Sequence, residues 1–120
     1  MPKSLSSLES SKLSDLYAHY AGWREFSEDI TNVALAEMVK AKQAYDYAWD
    51  VEFLKVRSKF KTSKETDAYL HTHAELESLK DIWNEKELFH TLLLKKLESL
   101  NNALTVISRE ITRRGISEPR

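Results

Sequence analysis

The sequence contains no cysteine. Disulfides and thiolate metal sites are therefore excluded, and an intracellular setting is expected. Glycine and proline occur twice each, as Gly22, Gly115, Pro2 and Pro119. β-Folds need frequent turns built from these residues, and between Gly22 and Gly115 there are none, so strands are disfavoured. No run approaches the ~20 apolar residues of a membrane helix, and the N-terminus lacks the apolar core of a signal peptide. A soluble, cytoplasmic protein without a membrane association is the expectation. A phosphate-cradling glycine loop, a nucleophile elbow, a paired-carboxylate pocket and an HExxH helix are also missing. Thin helical hairpins rarely supply a concave site, so neither catalysis, a cofactor nor a small-molecule substrate is expected.

What is present favours helix. The 120 residues are enough for one domain, and alanine, leucine, lysine and glutamate dominate the interior. Formal net charge is -1, yet the charges are sorted along the chain: -3 over residues 1–39, +4 over 40–64, -5 over 65–85 and +3 over 86–120. A nearly neutral chain thus carries two basic regions able to attract a polyanion, and two acidic blocks able to pair with them within or between copies.

Residues 1–12, MPKSLSSLESSK, are serine-rich and weakly patterned and are expected to form a flexible tail, as are residues 116–120. A single helical domain is expected over 13–115. Ser14 is placed to cap a helix starting at Asp15, along which Leu13, Leu16, Tyr20 and Trp23 recur at spacings of three and four. Gly22 weakens this helix and Ser27 opens a possible fresh start, so residues 14–60 are compatible with one helix or two. Ala34, Ala41 and Ala48 lie seven apart, with Ala44 beside them; small residues at heptad spacing admit a close partner helix. Lys61 to Glu65 is the best internal turn, with Thr62 and Glu65 at capping-box spacing. After it, KETDAYLHTH reads as a short helix or as the first turns of the last one.

The last helix is the clearest. One series runs Leu76, Trp83, His90, Leu97, Leu104, Ile111, and the interleaved one Leu79, Lys86, Leu93, Leu100, Ile107, Arg114. These are sustained heptads, broken by Lys86 and His90. Such a polar break often sets register or oligomer number, unless the lysine simply snorkels outward. A helix over 75–114 would be ~60 Å long, with Ile82, Phe89, Leu92 and Val106 widening its apolar face beyond what one partner stripe covers. The expected fold is all-α, a long antiparallel hairpin or three-helix arrangement with a coiled-coil-like seam. A homo-oligomer is expected, with Trp83, Lys86, His90, Leu93, Leu97, Leu100, Leu104, Ile107 and Ile111 as its seam.

Two sets of cations stand out. Lys55, Arg57, Lys59, Lys61 and Lys64 follow an aromatic stripe of Tyr45, Trp49, Phe53 and Phe60. Basic residues interleaved with aromatics suit single-stranded nucleic acid, whose bases stack while its phosphates pair. The competing expectation is that a stripe at helical spacing is core, leaving Tyr47, off the stripe, as the exposed ring. In Ile107 to Gly115, ISREITRRG, Arg109 and Arg113 lie about 200° from Ile107 and Ile111 and so point away from the seam, where they offer guanidinium forks to phosphate. Cations near a helix C-terminus, a Glu110–Arg114 pair and a C′ glycine explain Arg113, Arg114 and Gly115 without any ligand, but not Arg109. His71 and His73, two apart, diverge on a helix and do not make a metal site.

The acidic start Glu75 to Asp81, the seam from Trp83 to Leu104, the Ser108–Arg109 step within VISREITRRG and the preceding basic loop Lys55 to Lys64 resemble the phage recombination mediators of the UvsY group. The resemblance spans roughly the last two-thirds of the chain. It departs from the family's Ser-Arg-Gly turn, since Glu110 follows Arg109. It implies a ring-forming, all-helical, cytoplasmic protein that binds single-stranded DNA and helps load a RecA-like recombinase onto DNA covered by a single-strand binding protein. The alternative is a coiled-coil interaction or structural module, for example a phage protein binding a host factor, without affinity for nucleic acid.

Overall fold

The computed structural model describes residues 8–115. Three α-helices and a short 3-10 turn account for nearly all of them, and no strand occurs among the described residues. The fold is all-α, as expected. Residues 1–7 and 116–120, part of the expected tails, lie outside the described residues.

Helix α1 spans Ser10–Val56 as one uninterrupted helix. It begins earlier than the sequence suggests: the Leu13 N–H donates to the Glu9 carbonyl at 3.0 Å, so Ser14 lies inside the first turns rather than capping them. Residues 8–12 are thus part of the folded chain. Gly22 does not break α1, because a single glycine costs a helix interior only about 1 kcal/mol relative to alanine. A 3-10 turn over Arg57–Lys59 ends in Phe60, whose extended backbone (φ -118°, ψ 148°) stops the helical run.

Helix α2, Ser63–His71, starts on the box expected from sequence. The Glu65 N–H donates to Thr62 Oγ1 at 3.2 Å, and the Glu65 carboxylate accepts from the Lys61 N–H at 3.3 Å. Two otherwise unsatisfied donors are thereby paired. Thr72 closes α2 with its N–H on the Tyr69 carbonyl, and α3 then runs over Ala74–Arg113. KETDAYLHTH is therefore a helix of its own.

The chain forms two compact units. The first comprises residues up to Thr31 and from Leu92 onward. In it Leu13 meets Ile107 and Ile111, all fully buried, with Leu8, Leu16, Tyr17 and Tyr20 packed around them. The two helical segments run antiparallel, since Leu8 at one end bonds Arg114 at the other. The second unit is Asn32–Thr91. Its core is Val56, Leu70 and Leu76, capped by Tyr45, Ala48, Trp49, Phe53 and Phe60. Here too α1 and α3 are antiparallel, as contacts pass from Val56 with Leu76 through Tyr45 with Trp83 to Glu37 with Lys86.

These cores correct the expected oligomer seam. In the second unit Trp83 is half-buried with its ring 5.6 Å from Tyr45 of the same chain. Lys86 reaches Glu37 of α1 at 3.2 Å, so the polar break is bridged within the chain, and His90 is half-buried. In the first unit Leu93 and Leu97 are half-buried, and Leu100, Leu104, Ile107 and Ile111 are buried. Trp83, Lys86, Ile107 and Ile111 therefore meet the chain's own first helix. Each unit leaves other large apolar side chains at least half exposed: Trp23 and Phe26 in the first, and Val33, Tyr47, Leu54 and Phe89 in the second.

Candidate nucleic-acid interface

The basic turn lies wholly in the second unit. Lys55 occupies the last turn of α1, Arg57 and Lys59 the 3-10 turn, Lys61 the connection, and Lys64 the first turn of α2. The local sequence dictates this presentation. Val56, Phe60 and Thr66 point inward, Val56 and Thr66 being buried, so the residues between them are driven outward. All five cations are exposed. Lys55 touches Glu52 at 3.4 Å, an exposed pair of small energetic weight. Arg57, Lys59, Lys61 and Lys64 have no ion-pair partner among the described residues.

The aromatic stripe is core rather than a stacking platform. Tyr45, Trp49, Phe53 and Phe60 pack against Val56, Leu70 and Leu76. Trp49 faces His71 at 5.2 Å, and Lys42 lies over the Trp83 ring at 5.9 Å, a cation–π contact that occupies a basic residue. Tyr47 is 73% exposed, as expected for the ring off the stripe. One ring beside the basic turn escaped the sequence: Tyr69, 41% exposed, lies against Phe60 with centroids 5.4 Å apart. The signal for it was weak, because it depends on α2 folding back beside the turn.

The C-terminal arginines divide. Glu110 accepts from Arg113 Nε at 2.8 Å and Nη2 at 2.6 Å, and from Arg114 Nε at 2.9 Å. Those bonds, that from Arg113 foremost, hold the Glu110 carboxyl down at about 2, against an ordinary 4.5, despite its partial burial. The same bond raises Arg113. Arg114 also donates to the Leu8 carbonyl at 2.6 Å. Gly115 adopts φ +71°, with its N–H on the Thr112 carbonyl at 3.0 Å, a left-handed helix end that favours glycine. Arg113 and Arg114 thus serve the helix end, and the expected phosphate fork at Arg113 is already committed to a carboxylate. Arg109 stays exposed, with no ion-pair partner among the described residues.

The histidines diverge: His71 lies on Trp49, and His73 approaches Glu52 at 3.7 Å. No group of three or more potential metal ligands exists among the described residues. No described helix is long and apolar enough to cross a membrane. Comparison with protein-family models, curated proteins and solved structures finds no match.

Proposed function

We propose that this chain is a self-associating helical accessory protein that binds single-stranded DNA through the turn between α1 and α2. The observation carrying this is the set Arg57, Lys59, Lys61 and Lys64, exposed on one short connection and unneutralised by any described acid. Tyr69 beside them offers a π-face for a base. The exposed apolar residues of both units support self-association, since surface of this kind marks contact sites. The resemblance to recombination mediators supplies the role: helping a RecA-like recombinase displace a single-strand binding protein.

Fluorescence anisotropy of a labelled single-stranded oligonucleotide at several salt concentrations tests the proposal. Four phosphate contacts give log affinity against log salt a slope of roughly -3, at about -0.7 per contact on a single strand. The triple change Arg57→Glu, Lys59→Glu, Lys61→Glu is expected to weaken binding by at least about tenfold and flatten that slope by roughly 2. Binding that ignores both salt and the triple change would reject the turn as the site.

A second possibility is favoured by the first unit, where Tyr20, Trp23, Phe26 and Leu100 line an open apolar groove of about 410 Å³. A helical module that captures a protein partner would present such a groove. It would show salt-insensitive binding to that partner and no affinity for DNA.

A further inference from the structure

The inner face of α1 in the second unit is occupied by its own chain, through Ala34, Tyr45, Ala48 and Val56. Its outer face is not. Tyr47 lies about 200° around the helix from Tyr45, and with Val33 and Leu54 it is among the most exposed large apolar side chains, at 73%, 60% and 62%. Ala36 and Ala44 are exposed between them, and Val51 is half-buried. Together with Lys40 these residues form a continuous stripe.

We propose that this stripe pairs antiparallel with the same stripe of a second copy of the chain, about a two-fold axis at Gln43–Ala44. The proposal rests on the self-association part of the function above and names its surface. Two observations select the occupant and the direction. The first is spacing. From Val33 the steps to Ala36 and Lys40 are three and four residues. From Leu54 backwards the steps to Val51 and Tyr47 are also three and four. Reversing the helix therefore sets Val33 against Leu54, Ala36 against Val51 and Lys40 against Tyr47. An isologous interface requires this self-complementarity. Large meets small at Ala36 and Val51, and Ala44 at the axis lets the two backbones approach closely.

The second observation is charge. Lys40, Asp46 and Asp50 are all exposed, and none has an ion-pair partner among the described residues. In the antiparallel pair Lys40 lies opposite Tyr47 of the second copy. Asp46 and Asp50 are offset from it along the axis by ~1.5 and ~4.5 Å and lie on one flank, ~100° and ~60° around the helix. Asp50 is therefore the carboxylate nearer the seam and within reach of the flexible lysine stem. In-register parallel pairing instead sets Lys40 against Lys40, so charge selects the antiparallel direction.

The absence of cysteine makes the test direct. Each variant of the full chain carries one or no new thiol, association is followed by sedimentation velocity, and links are trapped by oxidation or a short bifunctional thiol reagent. Circular dichroism checks that the helices persist. Ala44→Cys alone is expected to link to itself. Val33→Cys alone is not, but mixed with Leu54→Cys it gives mixed dimers. Lys40→Glu is expected to weaken association about tenfold by setting a carboxylate against Asp50 on the acidic flank, and adding Asp46→Lys with Asp50→Lys to restore it. If the unmodified protein associates but Ala44→Cys does not link, or Val33→Cys links to itself as readily, this surface or its direction is wrong while self-association stands. If the unmodified protein is monomeric at tens of micromolar, self-association fails and this proposal with it.

Discussion

Glu110 is the acceptor for two guanidinium groups, and its low proton affinity carries a pH consequence. A carboxyl held at about 2 in the folded chain and near 4.5 when free binds fewer protons folded than unfolded between those values. Its contribution to stability is therefore complete above about pH 4.5 and is lost as pH falls toward 2. Glu110→Gln is expected to lower the melting temperature at neutral pH, and the gap to the unmodified protein to close as pH is lowered through that window. Thermal melts of both proteins between pH 2 and 6 would show it, and a gap that stays constant would contradict the assignment. At this scale the sequence was partly legible. Glu110 with Arg114 follows from a spacing of four. The fork from Arg113 was not foreseen, because it depends on a side-chain conformation that places two arginines on one carboxylate. Nor was the Arg114 bond to Leu8, which joins residues separated by 106 positions.

Among the elements, helix periodicity was the most readable signal. The extent of α3, the separate α2 and the capping box at Thr62 all follow from local pattern. The partner of a heptad seam does not, because Leu100, Leu104 and Ile107 fit a helix from their own chain as well as one from another. A heptad pattern alone does not distinguish a partner within the chain from one in a second copy, and Trp83, Ile107 and Ile111 find theirs within the chain. The aromatic stripe at Tyr45 to Phe60 is ambiguous in the same way, since its burial depends on Leu70 and Leu76, which pack on its face from beyond the turn. Gly22, a helix-weakening residue by type, does not interrupt α1. A β-carbon added there would meet no atom within 4 Å. Gly22→Ala is accordingly expected to stabilise the protein by up to about 1 kcal/mol, through helix propensity alone. Urea unfolding followed by circular dichroism measures this; a loss of stability would reveal a constraint on Gly22 that packing does not show.

For the molecule as a whole, charge order along the chain was legible, but its neutralisation was not. The basic block over 40–64 keeps four exposed, unpaired cations on its turn, whereas the basic C-terminal block is partly consumed by Glu110. The arrangement into two compact units also has a kinetic side. The second unit is one continuous stretch, while the first draws on both ends of the described chain. Closing a longer loop costs more entropy, and contacts remote in sequence form late. Amide hydrogen exchange is therefore expected to be slower around Leu70 and Leu76 than around Leu13 and Ile107; the reverse order would refute this. On a ribosome the consequence is sharper. The second unit is fully synthesised once Thr91 has emerged, whereas Leu13, made early, must wait for Ile107 and Ile111. Throughout that interval its apolar surface is open to any chaperone that recognises an unfinished chain.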